Sequence, residues 1–106
     1  MIGQTGLKDL IAYTETTSRL GDAATFAYEA IAMTTNATLD IAIEHKNRAD
    51  TAWTTSASFT QITAAGVATK RTSSLKEQVR LKLTFGGTAA SDWVHGRELT
   101  PVWETN

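Results

Sequence analysis

The chain contains no cysteine, which removes disulfides, thiol nucleophiles and thiolate metal ligands together. That fits assembly in a reducing cytoplasm. Proline occurs once, at Pro101, so no proline-rich linker divides the sequence. No run approaches the roughly 18 apolar residues of a membrane-spanning helix. The formal net charge is only −1, so the chain as a whole carries no basic footprint for nucleic acid. Met1-Ile2-Gly3-Gln4-Thr5-Gly6 lacks the basic and apolar regions of a signal peptide. Neither membrane nor nucleic acid is an expected partner, and export by the ordinary secretory route is not expected.

What is present is alternation. Hydrophobic residues make up 42% of the 106 residues, enough for one buried core and too much for a disordered chain. Leu39, Ile41 and Ile43 share one parity in Thr38–Lys46; Asp40, Ala42 and Glu44 share the other. Val79, Leu81, Leu83 and Phe85 alternate with Arg80, Lys82 and Thr84 in the same way. A period of two is that of a pleated strand with one buried face. These two strands, the second starting at Leu75, are expected at the centre of the fold. If they are neighbours, Asp40 and Glu44 meet Arg80 and Lys82 across the ladder.

The remaining segments read as shorter strands. Lys8–Thr16 is read as a strand, followed by a turn at Arg19–Asp22. Ala23–Met33 is another, because Phe26 and Tyr28 sit two apart. Asn47, Arg48 and Asp50 mark a hairpin loop leading to Trp53 and a strand over Thr54–Ile62. A turn at Thr63–Gly66 precedes an edge strand, Val67–Thr72, guarded by Lys70 and Arg71. Gly86-Gly87-Thr88 ends the second central strand. Trp93–Trp103 is a last extended segment, with Gly96 a bulge position and Pro101 near an edge. Residues 1–6 are expected to form an N-terminal arm or a loop lying on a partner, and Glu104-Thr105-Asn106 to be exposed. The expected fold is all-β: a single small β-sandwich over residues 1–106, jelly-roll-like and mostly antiparallel.

Little in this sequence carries chemistry. His45 and His95 have no second histidine or cysteine at ligand spacing, so no metal site is expected; a solvated or capping role suits His45. No serine sits in a Gly-x-Ser-x-Gly elbow. Gly86-Gly87 lacks the lysine and the strand-to-helix setting of a phosphate loop. Asp40 and Glu44, four apart on a strand, lie about 13 Å from each other, too far for a glycosidase pair. No catalytic residue, cofactor or enzymatic activity is therefore expected. Trp53, Trp93 and Trp103 are the candidate interface residues, since indoles anchor protein interfaces and stack on sugars. Core and loop anchoring is the competing role for them.

One stretch resembles a known family. Thr38–His45 ends a strand in Glu-His and is followed by Trp53-Thr54 and by Phe59-Thr60-Gln61-Ile62-Thr63-Ala64-Ala65-Gly66. Leu75–Lys82 and Phe85-Gly86-Gly87-Thr88 complete the pattern. About half of the chain resembles small virion structural proteins of tailed bacteriophages. The resemblance implies a β-rich capsid decoration, or cement, protein, forming a homo-oligomer, commonly a trimer. It would bind the major capsid protein on the outer surface of the expanded head, after assembly in the host cytoplasm. The long Ala/Thr region before residue 38 and the Trp-rich C-terminal segment depart from the family pattern. A tail or head-fibre component is the alternative within that class. A carbohydrate-binding module is the alternative outside it, and would require two indoles exposed on one face.

Overall fold

A computed structural model describes residues 4–104. Among them there is no helix, and nine strands build two antiparallel sheets. The strands are β1 (Gln4–Leu7), β2 (Ile11–Tyr13), β3 (Thr17–Ser18), β4 (Ala23–Met33), β5 (Thr38–Lys46), β6 (Thr54–Ser58), β7 (Gly66–Thr72), β8 (Gln78–Gly86) and β9 (Trp93–Glu104). The first sheet has the order β1-β9-β4-β7 and the second β2-β8-β5-β6, with β3 also pairing β8.

The pairings are nested. β5 pairs with β6, β4 with β7, β2 and β3 with β8, and β1 with β9. Successive pairs alternate between the sheets, which is a long antiparallel ribbon rolled up on itself: a jelly roll. The sandwich expected from the alternating patterns is therefore present, with that topology.

The core lies between the inner faces. β4 supplies Ala24, Phe26, Tyr28 and Ala30; β5 supplies Leu39, Ile41 and Ile43; β8 supplies Val79, Leu81, Leu83 and Phe85. Each large apolar side chain here contributes about 1.5–3 kcal/mol by leaving water. The two central strands are neighbours, with Ile41 opposite Leu83 and Ile43 opposite Leu81. Glu44 stands opposite Arg80, and their ion pair closes at 2.9 Å. Asp40 instead faces Thr84 and Lys82 faces Ala42. One of the expected charge pairs forms; the other acid accepts from the Gln61 amide at 3.2 Å.

Several expectations need correction. The strand over Lys8–Thr16 is interrupted. β1 ends at Leu7, and a turn closed by Leu10 N–H donating to the Leu7 carbonyl (3.0 Å) carries the chain to the other sheet. Asp9 takes φ 72° in that turn, a left-handed conformation that aspartate tolerates. Gln4–Gly6 are not an arm: they pair with Val94–Gly96 of β9. Gly6 permits this, because a Cβ there would lie 2.5 Å from the Phe85 ring. Met1–Gly3 lie outside the described residues.

The second central strand begins at Gln78, not Leu75. Leu75 is still buried, its N–H donating to the Asp22 carbonyl at 2.9 Å. β6 stops at Ser58, although Phe59 N–H donates to the Ile41 carbonyl and Ile62 bridges Leu39. The bulge near Gly96 falls on the partner strand, where β4 carries an extra residue between Ala30 and Ala32. A second irregularity puts one extra β9 residue opposite Thr25–Ala27. Pro101 sits there, where a missing ladder donor is tolerated. Glu104 ends β9 in an ion pair with Arg71 (2.6 Å); residues 105–106 lie outside the described residues.

Candidate functional site

The three tryptophans do not form one platform. Trp103 points inward, its ring edge-on to Phe26 at 5.9 Å and 73°, so it is a core anchor. Trp53 lies on the outer face of the second sheet. Trp93 lies on the outer face of the first, because its neighbour Val94 is fully buried. The two-indole face that a sugar platform requires is absent among these residues.

Around Trp53 a stacked cluster has formed. The Arg80 guanidinium carbon lies 4.0 Å from the Tyr13 ring centroid and 4.2 Å from that of Trp53. Lys46 Nζ is 5.4 Å from the same indole. Arg80 Nε donates to Glu44 Oε1 at 2.9 Å. Strand parity puts Arg80 and Tyr13 on this face, and the hairpin loop brings Trp53 over them. The planar cation is thus held between two π-faces with its charge matched. The cluster is saturated from within; it ties β2, β8, β5 and the hairpin loop together.

Trp93 has a different setting. β1 and β9 place Leu7 opposite Trp93 and Thr5 opposite His95, and β4 places Ala32 beside His95. These five residues line a shallow depression of about 600 Å³. Leu7 is 54% exposed, and Ile31, the extra residue of the β4 bulge, is 46% exposed. Inside the depression Thr5 Oγ1 and His95 Nδ1 are linked at 2.7 Å. Leu10, in the β1–β2 turn, is also exposed, whereas the exposed Ile11 lies on the outer face of the second sheet, on the parity of Tyr13. An apolar surface of this kind, rimmed by polar groups, is the mark of an interaction site. The sequence pointed to Trp93 but not to Leu7 or Ala32. The β1–β9 pairing sets Leu7 beside Trp93, and the β4–β9 pairing sets Ala32 beside His95.

The other ionisable candidates are structural. His45 Nδ1 accepts the Lys76 backbone N–H at 3.2 Å, the capping one of the two roles expected for it, the other being a solvated side chain. Burial first, and the Lys76 charge second, lower its pKa. Asp92 is buried and clamps the β8–β9 loop. It accepts from Thr34 Oγ1 (2.9 Å), Thr88 N–H (2.9 Å) and Ala89 N–H (3.0 Å). The Ala89 N–H, then the Thr34 hydroxyl, then the Thr88 N–H hold its carboxyl below the usual range. Arg48, Lys70, Arg71 and Lys76 do not act as one basic patch, since Arg71 is paired with Glu104 and Lys76 lies 3.9 Å from Asp50. Among the described residues no group of three metal-ligating side chains converges.

Comparison with protein-family models, with curated proteins and with solved structures gives no match for this chain.

Proposed function

We propose that the chain is a bacteriophage virion structural protein. In this reading it is a capsid decoration protein that docks the outer face of its first sheet on the major capsid protein. The observation that carries this reading is the apolar surface of Leu7, Trp93 and Ala32 on the outer face of the first sheet. The resemblance of residues 38–88 to phage virion proteins supplies the kind of partner. Those residues build β5 to β8, the inner turns of the roll. The docking surface is built instead from β1, β4 and β9, where the chain departs from the family pattern.

The physics of such a role is simple. A small sandwich has a modest stability margin alone, and binding to a lattice stabilises the folded state by mass action. An indole and a leucine side by side are suited to anchoring a contact, with truncation of such an anchor costing about 2–4 kcal/mol. Three copies around a capsid three-fold position would bridge neighbouring capsomers and resist the pressure of packaged DNA. The role requires binding and no chemistry.

The test is the heat resistance of filled heads of the phage that encodes this chain. Heads assembled without the chain are expected to release DNA at lower temperature, and purified chain added back is expected to restore resistance. Equal release temperatures with and without bound chain would reject the clamping role.

A further inference from the structure

A second feature lies further along β9, on the inner side of the first sheet. β1 covers only Trp93–Gly96 of β9, so from Arg97 onward that edge has no neighbour among the described strands. On the facing sheet, β2 ends at Tyr13 and β3 begins at Thr17. Thr14 still holds β8, its N–H donating to the Leu81 carbonyl (3.0 Å) and its Oγ1 accepting from the Leu81 N–H (2.9 Å), while Glu15 and Thr16 lie outside the strands. The other long edge of the sandwich is joined by Ser56 Oγ and Thr72 Oγ1 at 2.5 Å. This edge is instead open to a cleft of about 450 Å³, whose polar lining includes Gln4, Thr14, Glu15, Thr17, Tyr28 and Glu98. Its volume lies in the range of small-ligand sites.

The floor of the cleft is unusual. Tyr28 is only 1% exposed, and its hydroxyl has no hydrogen-bond partner among the described residues. A buried hydroxyl without a partner is costly. Gly96 lies against it: a Cβ at that position would sit 2.6 Å from the Tyr28 hydroxyl oxygen. Glu98, opposite Tyr28 in the ladder, is on the inner-face parity of β9 with Val94 and Gly96. Burial, and the nearby Glu15 charge to a smaller extent, push its carboxyl pKa up, while a Thr14 hydrogen bond opposes them. Burial and the Glu98 charge push the Tyr28 hydroxyl to about 12. The one cation among the described lining residues, Arg97, is engaged by Glu29 at 2.8 Å. Among its described lining residues the cleft thus holds two carboxylates and an orphan hydroxyl, with no uncommitted positive charge.

We propose that this cleft binds a primary ammonium group, which donates to the Glu98 and Glu15 carboxylates and to the Tyr28 hydroxyl oxygen. An ammonium has three donors and no acceptor, the complement of two carboxylates and a hydroxyl oxygen. An anion is repelled by the same lining, and a neutral sugar leaves the Glu98 charge uncompensated. Two carboxylates are too few for a metal site of the usual kind, so an organic cation is the fitting occupant. The ammonium can belong to a free polyamine or to a lysine side chain of a docked protein.

The experiment is a titration of the full chain, followed by amide chemical shifts, with three probes: 1,4-diaminobutane, Nα-acetyl-lysine-N-methylamide and glucose. The expected result is saturable shifts at Tyr28, Gly96 and Glu98 with both amines and none with glucose. Glu98→Gln is expected to weaken amine binding at least tenfold and Tyr28→Phe about threefold, each with an otherwise native spectrum. Trp93→Ala, on the other face, is expected to leave amine binding unchanged. Diamine binding more than tenfold tighter than the lysine mimic identifies a polyamine site; equal binding identifies a lysine side chain. Absence of shifts at millimolar amine, unchanged affinity in Glu98→Gln, or tighter binding of glucose would overturn the proposal.

Discussion

Replacing Arg80 by alanine removes the centre of the cluster on the second sheet. The side chain is 20% exposed and its partner carboxylate, on Glu44, 11%. The ion pair at 2.9 Å is therefore mostly shielded from water and salt. A charge-assisted hydrogen bond of this kind contributes about 1.5–3 kcal/mol. The two ring contacts, at 4.0 and 4.2 Å, add about 0.5–1 kcal/mol each. Allowing Glu44 to regain some water, Arg80→Ala is expected to cost about 3 kcal/mol. Arg80→Lys keeps the charge but not the planar stack, and is expected to cost about half as much. A double-mutant cycle with Glu44→Gln isolates the pair and is expected to give a coupling of about 1–2 kcal/mol. Urea unfolding at neutral pH, followed by circular dichroism, measures all of these. A loss below about 0.5 kcal/mol for Arg80→Ala, at unchanged dependence on urea, would refute the reasoning.

Three further outcomes are expected. Gly6→Val sets a side chain against the Phe85 ring, which lies 2.5 Å from the Cβ position; a loss of about 1–3 kcal/mol is expected in thermal unfolding. An unchanged midpoint would show that β1 does not lie over Phe85. Asp92 has a lowered folded-state pKa, so its contribution is present above the ordinary aspartate value and is lost as pH falls through the folded value. Asp92→Asn is expected to be less stable than wild type near neutral pH, with the gap closing in acid; urea midpoints at several pH values check this. Glu98 has the opposite sign. Its raised pKa means that stability is lost as pH rises from below the ordinary glutamate value through the folded value. Glu98→Gln is therefore expected to gain stability relative to wild type near neutral pH and not in acid. A gain equal at all pH values would remove burial of the charge as its cause.

The central strands were legible because both carry strict alternation over nine residues or more. β4 and β5 have the bounds that the pattern implied, and β7 is an edge strand that carries Lys70 and Arg71. The break after Leu7 was not legible. It depends on Asp9 adopting a left-handed turn, and neither Lys8 nor Asp9 announces that as a glycine would. The nested pairing was only partly legible, since alternation fixes faces but not partners. The cleft was hidden for a physical reason. β9 parity sets Val94, Gly96 and Glu98 on one face, and a glutamate on an inner face contradicts the rule by which a core is read. The surface around Trp93 was half legible: the indole stood out, but its partner Leu7 lay in a segment without clear period.

The most direct test of the proposed decoration role is saturation binding of the purified chain to expanded phage heads, counted by co-sedimentation. Wild type is expected to saturate at a number of copies set by the three-fold positions of the lattice. Trp93→Ala, with Leu7→Ser as a second variant, is expected to lower affinity at least tenfold with the fold intact by circular dichroism. Binding that does not saturate, or that survives both substitutions unchanged, would contradict docking through the outer face of the first sheet.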